Sequence, residues 1–211
     1  MSLSVKDLDN SINFRQILAL SYTDLVPFIF QYLKKLTSLI IIFCILCVVF
    51  LGIAIYIRLD IASGYPLFSI FFHSFLGFII YPVLCIPLHE GLHIIPYYIS
   101  GARNIRAGMD LKQYLFYVTA HRYVASPMQF IIVALVPFVI ISLAVLILIA
   151  YLPGLWKWSL SSFLFVHATM CAGDFALLNF YYVNRTKKIY TWDDADEKMA
   201  YFYEQIDGTA V

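Results

Sequence analysis

Two histidines and a glutamate interrupt one of the most apolar stretches of the chain, IPLHEGLHIIP at residues 86–96. They form the pattern H-E-x-x-H. On a helix, residues at i and i+4 share a face, so His89 and His93 can bind one zinc ion. Glu90 is then placed to take a proton from a water molecule, not to act as a third ligand. The alternative is a pair of packed histidines that form a salt bridge with Glu90.

Asp174 is the other carboxylate that falls well inside an apolar span. A catalytic zinc ion usually has three protein ligands and one open position, so Asp174 is the candidate third ligand. It lies about 14 Å from one end of its span, and the two histidines lie about 9–15 Å from the same side of theirs, at 1.5 Å per residue. This agreement in depth favours one shared site. Alternatively, Asp174 pairs with a histidine or caps a kink at Gly173.

Other polar residues near these positions have weaker claims. His167 shares a helical face with Asp174 and is interpreted as a hydrogen-bond partner of a ligand, a substrate contact, a replacement ligand or simply a satisfied intramembrane histidine. Cys171 lies one turn from Asp174, yet a thiolate is not needed to complete the ligand set. The remaining polar residues are expected to lie away from the metal, at the far end of a span, at the interface or within the bundle: His73, His121, Arg122 and Asn179.

The composition is that of an integral membrane protein. The chain has 211 residues, of which 62% are hydrophobic and 13% charged. A soluble domain is nearer to half apolar and a quarter charged. The net charge of +1 offers no basic field for nucleic acid. The four cysteines lie in apolar segments and are expected to be small buried hydrophobic residues.

Four charge-poor segments are long enough to cross a bilayer: 36–57, 67–100, 127–153 and 159–183. The second exceeds a hydrocarbon core of about 30 Å, which predicts tilt or bending at its prolines. Lys and Arg cluster before the first span, between the second and third, and after the fourth. By the positive-inside rule, both termini and the middle loop are predicted to be cytoplasmic.

The fold class predicted from these segments is an all-α polytopic membrane protein. It has about four transmembrane helices and a small cytoplasmic β-hairpin-like loop between the second and third, where apolar and polar residues alternate. Three parts are expected: a cytoplasmic or interfacial segment at 1–35, a metalloprotease-like membrane domain at 36–183 and a cytoplasmic tail at 184–211. The stretch DDADEKMAYFYEQI in the tail predicts a short acidic amphipathic helix.

The order of these features resembles the site-2 protease class of intramembrane zinc metalloproteases. HEGLH on one span is followed by a loop with a β pattern, by SPMQFIIVALVPFV, and by an aspartate on a later span. The sequence is also similar to a small bacterial membrane family described as putative zincin peptidases (DUF3267), whose members pair an HE-x-x-H helix with a later Gly-Asp, as in CAGDFALL. The resemblance covers roughly residues 66–183. Two features differ from the site-2 protease class. The Asn-x-x-Pro motif ahead of the aspartate is missing, and the glycine precedes Asp174, whereas in that class a glycine follows the aspartate.

The resemblance implies a zinc-dependent metallopeptidase. It assigns His89, His93 and Asp174 as ligands of Zn²⁺ and Glu90 as the general base. The implied reaction is hydrolysis of peptide bonds in membrane-embedded or membrane-adjacent substrates by zinc-activated water. The expected partners are a membrane protein or peptide substrate and the lipid bilayer of a bacterial cell membrane, with no nucleic acid.

Two other functions are compatible with the same residues. The first is a non-catalytic membrane protein in which zinc is structural and which binds a membrane partner. A fourth ligand supplied by His167 or Cys171 would favour it, because it would close the open coordination position. The second is metal transport, which the single site and the scarcity of other intramembrane acids disfavour.

Overall fold

The computed structural model describes residues 3–9, 12–61, 64–110 and 115–206. The described part is mainly helical, with two small sheets. Its helices are α1 (Val5–Asp9), α2 (Leu25–Leu33), α3 (Ser38–Asp60), α4 (Leu67–Phe75), α5 (Tyr81–Ile99), α6 (Pro127–Tyr151), α7 (Gly154–Met170) and α8 (Ala172–Val183). Its strands are β1 (Phe14–Ser21), β2 (Ile105–Asp110), β3 (Leu115–Ala120), β4 (Ile189–Asp194) and β5 (Met199–Gln205).

Three helical segments are long and apolar enough to cross a membrane. They are α3, the continuous segment Leu67–Ile99 and α6. Helices α7 and α8 together qualify as a fourth, but they are bent by 42°. The expectation of about four spans therefore holds by length and composition when the bent pair counts as one.

The second span is interrupted by a π-helical turn, Leu76–Ile80, between α4 and α5. Its prolines at 82, 87 and 96 all lie within the helix α5 that follows. At Gly77 this turn meets α7 so closely that an added Cβ would collide with the carbonyl oxygen of Ser159 and the Cβ of Ser162. The backbone contact between the second span and α7 therefore requires glycine at this position.

The segment predicted as one fourth span is two helices separated at Cys171. Helix α7 ends at Met170 and α8 begins at Ala172, so Asp174 lies in the first turn of α8. The first turn of a helix carries backbone N–H groups without intrahelical partners and favours a negative charge. The bend thus places the carboxylate at a helix start inside the bundle.

The predicted fold is confirmed in its mainly helical character and its three to four apolar helices, but the all-α class is too narrow, because the described residues also form two small sheets. Strands β1, β5 and β4 form an antiparallel sheet in the order β1-β5-β4, and β2 pairs with β3. The β structure is thus not confined to a small cytoplasmic hairpin-like loop. The amphipathic helix expected at DDADEKMAYFYEQI is also wrong, because this stretch contains the end of β4, a turn and all of β5. The aromatic and β-branched residues of IYTWDD and MAYFYEQ favour strands over helix.

The first sheet joins the two ends of the chain. Phe14 pairs with Gln205, and Ser21 pairs with Met199. Buried side chains of β1, α2, α8 and β5 share one apolar cluster, which includes Leu20 and Phe202. The N-terminal segment, expected as a lead-in on the membrane surface, is therefore packed onto the end of α8 and the C-terminal strands.

Asn179 ties α8 to the start of the first span. Its Nδ2 group donates to the carbonyl oxygens of Tyr32 and Lys35 at 2.7 and 2.9 Å, and its Oδ1 accepts from Thr37 at 2.6 Å. Each polar atom of this fully buried amide is thus used within the bundle, as buried polar groups require. The side chain holds the link between α2 and α3 against α8.

Candidate metal centre

Helices α5 and α8 bring the three predicted ligands together. His89 and His93, one turn apart on α5, are each 8% exposed. The Nε2 atom of His89 lies 3.2 Å from Oδ2 of Asp174, and Nε2 of His93 lies 3.7 Å from Oδ1. Zinc bonds to nitrogen and oxygen are about 2.0–2.2 Å long, so tetrahedral ligand atoms lie roughly 3.3 Å apart. Both spacings suit three ligand atoms around one ion.

A hydrogen bond of His93 identifies which of its ring nitrogens carries the proton and which has a free lone pair. His93 Nδ1 lies 2.8 Å from the carbonyl oxygen of Val133. A carbonyl only accepts, so Nδ1 carries the proton and Nε2 of the neutral ring has a lone pair. That lone pair points at an oxygen of Asp174, which is also an acceptor. The contact is favourable when a cation lies between the two atoms or when the ring is doubly protonated, so the donor set fits zinc.

Glu90 lies beside the three candidate ligands. Its carboxylate has an oxygen within 4.8 Å of the ligand nitrogens of His89 and His93. The backbone amide of Val118, on β3, is next to the same carboxylate. Glu90 also lines the cavity in front of the histidines. It is therefore close enough to exchange a proton with a molecule that is bound at the centre.

His167 contacts His89 on the side away from Asp174. Its Nε2 atom lies 3.3 Å from Nδ1 of His89, and the ring is fully buried. Cys171 Sγ lies 3.7 Å from the same Nε2 atom, 4.0 Å from Nδ1 of His89 and 3.2 Å from the carbonyl oxygen of His167. A thiol that donates to that carbonyl stays neutral. His167 Nε2 can then accept the Nδ1 proton of His89, which leaves Nε2 of His89 free for a metal.

A cavity of about 240 Å³ opens in front of the centre. His89, Glu90, His93 and Asp174 contribute to its wall. The opposite wall comes from the short 3-10 turn between β1 and α2 and from both sheets. It includes Tyr22, Phe116, Thr119 and Asp193. Gly173, the position at which the sequence offered a kink capped by Asp174, also lines the cavity. A Cβ added there would lie 3.5 Å from Cδ1 of Ile29.

The other polar residues singled out from the sequence lie away from the centre. His73 bonds to Ser159 at 2.7 Å on the far part of α7. His121 and Arg122 are not simply interfacial, because both contact Asp194 in the turn after β4. The cavity residues on β3 and β4 have no counterpart among the predicted site residues. Nothing local in the sequence indicates that strands so far apart in the chain face the same helix.

Comparisons with known proteins agree with this arrangement in coarse terms. No curated protein and no solved structure matches the chain. The sequence profile of one family, described as "Putative zincin peptidase" (DUF3267), matches residues 82–190. The matched range is 109 of the 211 residues and contains both α5 and α8, and the family description indicates a zinc metallopeptidase. The resemblance inferred from HEGLH and CAGDFALL is thereby confirmed, and the chain belongs to this zincin peptidase family.

Proposed function

We propose that the protein is an intramembrane zinc metallopeptidase that hydrolyses peptide bonds in membrane-embedded or membrane-adjacent segments. The observation that carries the proposal is the carboxylate of Asp174, whose two oxygens face Nε2 of His89 and Nε2 of His93. Membership of the zincin peptidase family supports the metallopeptidase activity. The apolar spans that carry these residues support an intramembrane location.

The chain's own residues have distinct roles in this mechanism. His89, His93 and Asp174 would hold zinc, which when bound supplies Lewis acidity to polarise the scissile carbonyl. Glu90 takes a proton from the attacking water and delivers it to the leaving amine. The carbonyl of Val133 keeps the ring of His93 in the tautomer that leaves Nε2 free.

Within the described residues, β3 (Leu115–Ala120) pairs only with β2, and its other edge is where a substrate could bind in extended form. The amide of His121 donates to Asn104 at 2.9 Å, so its N–H points toward the partner strand β2. Because the direction alternates along a strand, the amide of Val118 points away from β2 and toward Glu90. A substrate strand that pairs with this edge would pass beside the proposed base. A substrate helix loses its internal backbone hydrogen bonds when it unwinds, and hydrogen bonds to the backbone of β3 would replace them.

The membrane arrangement belongs to the same proposal. The Lys and Arg distribution supports cytoplasmic termini and a cytoplasmic middle loop. The two sheets would then cover the cavity on the cytoplasmic side, and residues 36–183 would form the membrane domain. The site-2 protease relation is supported by H-E-x-x-H and by an aspartate on a later helix. The missing Asn-x-x-Pro motif indicates that the substrate is held differently.

A structural zinc site in a non-catalytic membrane protein is the second candidate. One observation favours it, the proximity of His167 and Cys171 to His89, which together form another group able to hold a metal. A metal shared with these residues would have no open position for water. It would also require a Cys171 thiolate and break the bond from the thiol to the His167 carbonyl.

The decisive experiment compares Glu90→Gln with the wild-type protein in proteoliposomes. The probe is a single-span reporter peptide with about 20 apolar residues and cytoplasmic Lys or Arg flanks. We expect the variant to retain zinc, measured by elemental analysis, and to lose cleavage of the reporter. Glu197→Gln, in the exposed turn after β4, is the matched control and should cleave normally. Cleavage by Glu90→Gln at the wild-type rate would refute the mechanism.

A further inference from the structure

Two consecutive acids on β4 have opposite surroundings. Side chains alternate between the two faces of a strand, so Asp193 and Asp194 point in opposite directions. Asp194, which is 2% exposed, accepts from Arg122 Nε and NH2 at 3.1 and 3.0 Å. It also accepts the backbone amides of Asp196 and Glu197 at 3.0 and 3.2 Å. The Asp194 carboxylate is therefore fully used in holding the turn after β4.

Asp193 points into the cavity of the candidate metal centre. Thr191, two residues earlier on the same face, lines the cavity as well. Among the residues that the structure describes, no Lys, Arg or His side chain forms an ion pair with Asp193. The neighbouring Arg122 donates its backbone amide to the Asp193 carbonyl at 2.8 Å, but its guanidinium group binds Asp194. A carboxylate without a counter-charge is thus held in the cavity wall.

Thr119 of β3 is a second polar group at the same place. The residue is 3% exposed and lines the cavity. Its hydroxyl lies beside the Asp193 carboxylate without forming a good hydrogen bond, and its Oγ1 has no partner within the described part of the chain. Burying a hydroxyl without a hydrogen bond costs roughly 1–3 kcal/mol in proteins. In the described residues, a buried hydroxyl without a well-formed hydrogen bond thus lies beside a carboxylate without an ion-pair partner, and this indicates that a cationic ligand completes them.

The chemistry of these groups selects the ligand. Burial raises the pKa of Asp193 to about 6, because the charged form lacks a compensating cation. An ammonium or guanidinium group would stabilise the carboxylate and could donate a further hydrogen bond to Thr119 Oγ1. The apolar walls of the cavity, which include Leu20 and Phe116, suit the methylene stem of such a side chain.

We propose that Asp193 and Thr119 form a subsite that binds a lysine or arginine side chain of the substrate close to the bond that is cleaved. The inference rests on the proposed peptidase function and adds a substrate class to it. The cytoplasmic flanks of transmembrane segments are enriched in Lys and Arg. Peptides at the membrane border therefore carry basic side chains close to the position of the proposed subsite. The substrates are thus membrane-border peptides with a basic residue beside the cleaved bond.

The test uses N-acetylated reporter peptides that differ at one position near the cleaved bond, where they carry Lys, Arg, Gln or Glu. We expect wild-type protein to cleave the Lys and Arg reporters with a kcat/KM about tenfold above that for Gln, which corresponds to about 1.4 kcal/mol. Asp193→Asn should reduce this ratio to near one, through a lower kcat/KM for the Lys and Arg reporters. Asp193→Lys should prefer Glu over Lys. Glu197→Gln is the control and should keep the wild-type preference.

A binding measurement separates failure of the subsite from failure of the proposed function. Glu90→Gln protein, with and without Asp193→Asn, is titrated with the same labelled reporters by fluorescence anisotropy. Tighter binding of Lys than of Gln that disappears with Asp193→Asn supports the subsite, whether or not hydrolysis is observed. Equal binding of all four reporters, or a preference that survives Asp193→Asn, overturns the proposal. The Lys and Gln reporters are also titrated in a form with a free N-terminus, and discrimination that appears only in this form would assign the subsite to an α-amino group and overturn the side-chain assignment.

Discussion

Asp174 and His89 lie 3.2 Å apart between carboxylate oxygen and Nε2, although helix α5 and helix α8 are separated along the chain by a two-stranded sheet and two long helices. The contact depends on the break at Cys171, after which a new helix begins at Ala172, two residues before Asp174. His89 also contacts His167, which belongs to the helix before the break. The imidazole of His89 therefore contacts both halves of the bent fourth segment, α7 and α8.

Removing the carboxylate should empty the metal centre. Asp174→Ala leaves two imidazoles, and we expect zinc affinity to fall by at least about 100-fold, because the loss of a direct ligand should exceed the 10–100-fold typical of outer partners. Zinc content after dialysis against a chelator measures the effect. Asp60→Asn, at the end of α3, is the matched control. Zinc retained at the wild-type level in Asp174→Ala would remove Asp174 from the ligand set.

Replacing His167 should weaken zinc binding without removing a ligand. His167→Phe fills the same buried space but cannot accept the Nδ1 proton of His89, so we expect a loss of about 10–100-fold in zinc affinity. His167→Asn keeps an acceptor oxygen and should recover part of the loss. Competition with a chromogenic chelator measures the affinities.

Cys171→Ser distinguishes this positioning role from a closed metal site. The serine hydroxyl can still donate to the His167 carbonyl, so zinc affinity should stay near the wild-type value if the thiol only makes that bond. A loss as large as that of His167→Phe would show that both side chains bind metal, and the structural-zinc function would then be preferred.

Gly77→Ala should destabilise the bundle. The new methyl group would collide with backbone and Cβ atoms of α7, which cannot rotate away, and we expect a loss of about 1–3 kcal/mol. Gly52→Ala is the control, because an added Cβ there has no atom within 4 Å and alanine favours a helix. Thermal unfolding in detergent compares the two variants. Equal unfolding temperatures would show that the π-helical turn Leu76–Ile80 and α7 are not in close backbone contact.

Asp194 and Asp193, the two acids of β4, should make the stability of the fold depend on pH in opposite directions. Burial opposes ionisation of Asp194, but the amides of Glu197 and Asp196 and the guanidinium of Arg122 hold its pKa below the ordinary 3.8. Its contribution is thus fully present above the ordinary pKa of 3.8 and is lost progressively as the pH falls from there through the lowered pKa of the folded state. We expect Asp194→Asn to lower the unfolding temperature at pH 7 and to have a smaller effect the further the pH falls below 3.8.

Asp193→Asn should act in the other direction. Burial raises the Asp193 pKa to about 6 against the weaker opposing effect of the Thr119 hydroxyl, so the ionised form destabilises the fold above that pH. The variant should be more stable than the wild type at pH 8, by up to about 3 kcal/mol, and equal to it near pH 4. Unfolding temperatures at the two pH values check this. A variant that is less stable at pH 8 would show that the carboxylate already has a cationic partner.

The family and the candidate ligands could be predicted from the sequence because their signals are local. His89 and His93 share a face through the i, i+4 spacing of any helix, and the cost of burying polar groups in apolar spans singles out Glu90 and Asp174. The spans themselves follow from runs of apolar residues. These features need no knowledge of which segments are neighbours in space.

Tertiary structure alone decided the pairing of the chain ends, the bend at Cys171 and the composition of the cavity wall. The pairing of Phe14 with Gln205 joins residues from opposite ends of the chain, and a strand's own pattern does not name its partner. The alternation in β4 predicts that Asp193 and Asp194 face apart, but only the tertiary structure, in which β4 contacts β3 and α6, shows which of them lines the cavity of the candidate metal centre. Local sequence patterns thus predicted the helix that carries H-E-x-x-H and the candidate ligands, whereas long-range packing determined what surrounds them.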